Sequence, residues 1–174
     1  MSGDTQTSAE YPRAGRTVSA VTRQWHHYRF RSLWRLAAPP DEVFAVLADA
    51  ENYPTWWPQV RQVDGLDTRS GTARFRSLLP YDLLVTARES RRDPRTGVLE
   101  ITMSGDLEGW ARWTLVANAR GTTALFEQEV EVRKPLLRLL AVPGRPLFLA
   151  NHTLMMRAGQ RGLRARLGRG LDEA

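Results

Sequence analysis

The chain has no cysteine, which excludes disulfides and thiolate metal sites anywhere in its 174 residues. Histidine is almost as scarce: the three at positions 26, 27 and 152 offer no metal-ligand spacing, and no metal is expected. Lys134 is the only lysine, every other side-chain cation outside histidine being arginine. No Gly-rich phosphate loop and no G-x-S-x-G element occurs, and "GDLEGW" reads as a hairpin turn, so no nucleotide or other cofactor is expected. No run of roughly 18 apolar residues could span a bilayer. The opening stretch "MSGDTQTSAEYPRAGRT" lacks the basic-then-apolar signature of an export signal, and the expected location is cytoplasmic.

What is present is ordinary globular composition, 42% hydrophobic and 25% charged, in a length suited to one domain with a sizeable core. A net charge of +6 raises the prospect of nucleic acid, because clustered cations bind phosphate backbones by releasing counterions. The arginines are instead interleaved with apolar residues in "YRFRSLWRL" and "ARFRSLL", as on the solvent face of strands, and no specific nucleic acid is expected. "RAGQRGLRARLGRG" differs: Arg157, Arg161 and Arg164 have no interspersed carboxylate, leaving transient contact with an anionic membrane surface or RNA as one reading and a solvated helix end as the other.

Along the chain, residues 1–24 read as a polar leader, 25–168 as a single domain and 169–174 as a tail. "YRFRSLWRLAA" alternates as a half-buried strand. "PPDEVFAVLADA", with proline before an acidic first turn, and "ENYPTWWPQV", bounded by Pro54 and Pro58, predict two short helices or turns. Period-2 segments follow at 60–68, 72–79, 82–92, 98–105, 109–117 and 122–133, broken by turn residues, and an apolar piece at "LLRLLAV" precedes a long helix at about 146–168. Short connections between successive strands predict an antiparallel meander.

The alternation assigns faces. Phe30, Ser32 and Trp34, then Phe75 and Ser77, then Leu99, Ile101 and Met103 lie on one side of their strands, as do Ala111 and Trp113, and Phe126, Gln128 and Val130. Glu89, Glu100, Glu127 and Glu129 are expected to face water. The terminal helix presents His152, Met156, Gly159 and Leu163 on one face, flanked by Phe148 and Met155. Glycines 159 and 162 each cost a helix about 1 kcal/mol relative to alanine. Either the helix approaches the sheet closely there or small residues leave room for a ligand.

The element order, with "LAAPPDEVFAVLADAENYPTWWPQV", "GDLEGWARWTL", "GTTALFEQEVEV" and "PGRPLFLANHTLMMRAGQRGLRARL", resembles the START-like, Bet v 1-like superfamily, and within it the bacterial polyketide cyclase/dehydrase-type proteins. The resemblance covers roughly 28–168. It implies an α+β helix-grip fold: a curved seven-stranded antiparallel sheet wrapped around the C-terminal helix, with two short helices after strand 1 closing one end of a deep apolar cavity. Under that fold Trp56 and Trp57, about 100° apart on a helix, point different ways. One plugs the core while the other lines or gates the cavity, or both pack as a structural corner.

The leading expectation is binding, sequestration or transport of a hydrophobic small molecule of polyketide, quinone or lipid-like type in an internal cavity. Its aromatic wall would comprise Trp34, Trp57, Phe75, Trp113, Phe126 and Phe148. Met103, Gln128, Asn151, His152, Met155 and Met156 would complete it. The rival is a metal-free cyclase or dehydratase with His152 as acid or base, partnered by Tyr28 or Asn151, since His152 alone among the inward candidates titrates near neutrality. Arg112 would join it if the strand parity slipped by one.

Overall fold

The computed structural model describes residues 26–76, 82–133 and 145–172. The expected leader, the apolar piece "LLRLLAV" and Ser77 lie outside these residues. Strand β1 (His27–Leu36) leads into helix α1 (Pro40–Ala48), a single 3-10 turn (Ala50–Asn52) and the four-residue helix α2 (Tyr53–Trp56). Six strands follow: β2 (Val60–Asp67), β3 (Ser70–Arg76), β4 (Asp82–Asp93), β5 (Val98–Gly105), β6 (Leu107–Asn118) and β7 (Gly121–Val132). Helix α3 (Arg145–Asp172) closes the order.

Each local choice has a physical cause. Pro40 opens α1 with its φ already helical and no N–H to lose, and Asp41 and Glu42 in the first turn suit the positive end of the helix dipole. At the β4–β5 turn the Asp93 carboxylate accepts from the backbone N–H groups of Arg95 and Thr96 at 3.1 and 3.2 Å. Hydrogen bonds from Thr96 and Arg91 hold its pKa down at about 2. Helix α3 runs past the expected end at 168 to Asp172, because Gly168 and Gly170 lower propensity without breaking the hydrogen-bond ladder as proline would.

The strands form one antiparallel sheet in the order β1-β7-β6-β5-β4-β3-β2, seven strands with β1 and β2 at the edges. This is the helix-grip arrangement: a curved sheet with α3 across its concave face and the short helices at one end. The register sets inward residues side by side, Trp113 opposite Phe126 and Ala111 opposite Gln128 on β6 and β7, with Phe30 of β1 beside Gln128. The parity does not slip at Arg112. Its guanidinium is paired with Glu100 (Nε to Oε2 2.6 Å) and sits over Trp110, while its neighbours Ala111 and Trp113 are buried. On the outer face Glu129 accepts from His27 and Arg29 at 2.8 and 3.1 Å, and Glu127 lies 3.8 Å from Arg31.

Candidate functional site

At one end of the helix–sheet interface the molecule is solid. Trp34, 2% exposed, packs edge-on against Trp57 and Trp113, with ring centroids 5.8 and 4.6 Å apart. Trp56 and Trp57 are both buried and stack on each other at 5.4 Å. The two glycines of α3 are what let them in. A Cβ on Gly162 would run into the carbonyl of Trp56, and a Cβ on Gly159 would lie 2.5 Å from Cε2 of the Trp57 indole. Because the helix surface is bare at Gly159, the indole approaches closely enough for Nε1 to donate to the Met155 carbonyl at 3.0 Å. The glycines therefore serve close approach rather than ligand space, and the Trp pair divides its labour. Trp56 plugs the corner, and Trp57 has one face on the packed corner and one on the space beyond.

That space is a cavity of about 570 Å³ between α3 and the sheet. Phe75, Met103, Trp113, Phe126, Phe148 and Met155 contribute to its wall, together with the polar residues Gln128, Asn151 and His152. Of the expected wall residues, Trp34 and Met156 are not in it. Trp34 is enclosed by Trp57 and Trp113, and Met156, 3% exposed, lies on the helix face that packs into the core. Tyr28 is also outside the wall, buried against Phe148 at 4.8 Å, while Phe30 of β1 stacks on the histidine.

His152 is 8% exposed and its ring lies flat on Phe30, centroids 3.7 Å apart and planes within 12°. Burial, which disfavours the imidazolium, lowers its pKa to about 4, so the ring is neutral at physiological pH. Its Nε2, itself closed to solvent, has no hydrogen-bond partner among the described residues. Nearby on the sheet, the Gln128 amide makes a long contact to the Met103 sulfur, Nε2 to Sδ 3.9 Å. Tyr53, another wall residue, donates its hydroxyl to the Leu47 carbonyl at 2.6 Å, and burial followed by the charge of Asp49 raises its pKa.

The cavity opens where the 3-10 turn, the β2–β3 turn and β4 meet, and here the expectation for Glu89 is corrected. Glu89 opposes Ile101 in the same unbroken register as Ala87 opposite Met103, and so shares the inward side of Leu83, Val85 and Ala87, at the mouth, where it lies 3.8 Å from Arg69 and 3.6 Å from Arg92. A bulge at Ser90 then sets Arg91 opposite Glu100 and Arg92 opposite Leu99. An inward charge is tolerated there because the rim is solvated. Among the described residues no group of three or more His, Asp or Glu side chains is placed to hold a metal ion. On the outside of α3, Arg157, Arg161 and Arg164 are exposed, and Arg164 donates from Nε and an Nη to the Arg35 carbonyl at 3.2 and 2.9 Å, covering the free edge of β1. No helix among the described residues is long and apolar enough to cross a membrane.

Solved structures share this architecture at low identity. An aromatase/cyclase from Streptomyces sp. R1128 superposes with a TM-score of 0.70 at 18% identity, over 84% of this chain and 96% of its own. A START superfamily protein from Mycobacterium smegmatis gives 0.63 at 16% over 83% and 98%, and a protein from Thermus thermophilus gives 0.62 at 16% over 80% and 98%. No curated protein matches the sequence. At such identities the structural likeness establishes the fold alone. The sequence itself matches a family description over residues 12–169, and the chain belongs to that family, polyketide cyclase / dehydrase and lipid transport.

Proposed function

We propose that the protein binds and sequesters, or carries, a hydrophobic small molecule of polyketide, quinone or lipid-like type between α3 and the sheet. One observation carries the reading: about 570 Å³ of space walled mainly by aromatic and aliphatic side chains, the size and character of a site for a drug-sized ligand. The aromatic edges suit a flat ring system, and the charged mouth keeps polar groups at the exit. Names of similar proteins agree with a greasy ligand, the aromatase/cyclase in particular.

Turnover is the weaker alternative. A base with a pKa near 4 holds little proton affinity at neutral pH, and the carboxylates of the lining are already engaged by arginines, Glu89 by Arg69 and Arg92 and Glu100 by Arg112. Native mass spectrometry of the protein as purified, and quenching of its tryptophan fluorescence by a panel of quinones and polycyclic aromatics, tests the binding reading. Saturable quenching with one ligand per chain is expected. A panel that leaves the fluorescence of Trp57 and Trp113 unchanged, with no co-purified mass, would sink it.

A further inference from the structure

The surface holds arginine in two ways. On the outer face of the sheet the cations have carboxylate partners: Arg29 pairs with Glu129, Arg31 with Glu127, Arg112 with Glu100 and Arg133 with Glu108. Helix α3 departs from that pattern. It holds six arginines and a single carboxylate, Asp172, so nearly all of the chain's net charge of +6 resides in it. Two of these arginines, Arg157 and Arg161, are exposed, and no Asp or Glu stands within four positions of either. They lie about four and three turns before the end of the helix, too far for its dipole to favour them, and as like charges four residues apart they weaken it.

Helical spacing continues the two arginines into rows on the side of α3 opposite the buried His152, Met156 and Leu163. Residues seven apart lie almost in line, so Leu147, Leu154 and Arg161 form one row and Ala150, Arg157 and Arg164 the next, all six exposed. Leu147 and Leu154 are 43% and 49% exposed. The strip therefore passes from apolar to basic along the helix. We propose that it is a docking surface for an anionic membrane, the leucines entering the boundary between headgroups and acyl chains and Arg157 and Arg161 taking the lipid charges. Charge alone would also suit a nucleic acid. The leucines decide: a phosphate backbone gives them nothing to bury in, and the strip has no aromatic ring on which a base could stack. Helix α3 then lies along the membrane plane with its other side on the cavity, about 10 Å away across one helix diameter. This surface goes beyond the ligand-binding reading above and does not depend on it.

Sedimentation of the full chain with lipid vesicles tests the strip. At about 0.1 M salt, vesicles of equal parts phosphatidylglycerol and phosphatidylcholine should bind about tenfold or more above phosphatidylcholine alone, and the preference should shrink severalfold at about 0.5 M salt. Arg157→Gln combined with Arg161→Gln should weaken binding to the anionic vesicles about tenfold or more, at roughly fivefold per charge. Leu147→Ser combined with Leu154→Ser should weaken it about fivefold and leave the salt dependence in place. All four side chains are exposed, so the variants should fold, and circular dichroism checks that they do. No preference for anionic vesicles, or a preference that survives loss of the two arginines, overturns the proposal. Binding that falls with the arginines and is indifferent to the leucines overturns it too, because that is the response of a purely electrostatic contact of the kind RNA makes. None of these outcomes alters the quenching of tryptophan by a cavity ligand, so the docking surface and the ligand-binding reading fail separately.

Discussion

The two ends of the contact between α3 and the sheet use the same kinds of residue to opposite effect. Around Gly159, Gly162 and Leu163 the helix is bare or fully buried, and Trp56 and Trp57 come down onto it until no room remains. One to three turns before Gly159, around Phe148, Asn151, His152 and Met155, the helix carries large side chains, and the sheet stands off to leave a cavity. Bulk on the helix props the layers apart, and its absence lets them close. The solid end fixes the geometry, which allows the other end to remain hollow without collapsing.

The sharpest way to break this contrast is to remove an aromatic from each end. Trp34→Ala deletes a ring packed on two other tryptophans and should lower unfolding free energy by about 3–5 kcal/mol in urea titration. Phe75→Ala, at a half-buried ring on the cavity wall, should cost less than half of that, because there is already space on one side of it. Equal losses would mean that both ends are packed alike.

Acid sharpens it next. His152 has its pKa lowered from 6.5 to about 4 by burial, so between those values the unfolded chain takes up a proton that the folded chain refuses. Stability is therefore undiminished above pH 6.5, falls as pH drops through the window, and has lost about 3 kcal/mol by pH 4. His152→Phe should flatten that slope in melting curves recorded from pH 7 to 4. The lowered carboxylates, Asp93 at about 2 and Glu108 and Glu129 below their ordinary range, act at lower pH, which keeps the windows separable.

Much of the fold was legible in the sequence because alternation along a strand is set by the backbone, which turns successive side chains to opposite faces. That is why Phe75, Trp113, Phe126 and Gln128 could be placed inward without a structure. Alternation says which side, however, and nothing of depth along the strand or of the gap to the facing layer. Trp34 and Trp113 have the same parity, yet one lies in solid core and the other reaches the cavity wall. Glu89 shows a different failure. Its parity with Leu83, Val85 and Ala87 pointed inward, but its charge was read as solvent-facing, whereas at a cavity mouth inward and solvated are compatible. Arg92 was beyond reach, since its inward turn depends on the bulge at Ser90, which leaves no sequence signature. The glycines of α3 were visible as an anomaly, but only the positions of Trp56 and Trp57 decide between close approach and open space.

Those glycines supply the smallest and most discriminating comparison, because three alanine substitutions in one helix separate proximity from propensity. Gly162→Ala drives a methyl into the Trp56 backbone, which cannot move without shifting α2, and about 2 kcal/mol of destabilisation is expected. Gly159→Ala meets the ring of Trp57, which has the cavity behind it and can tilt. That should cost less stability, about 1 kcal/mol, while weakening any cavity ligand by taking its volume. Gly168→Ala meets nothing within 4 Å and should gain up to about 1 kcal/mol from helix propensity alone. Thermal melts of the three variants, with probe affinity measured for Gly159→Ala, give the ordering. If Gly162→Ala and Gly168→Ala shift stability in the same direction, the tryptophans are not what these glycines accommodate, and the account of how the solid end holds the hollow one open is wrong.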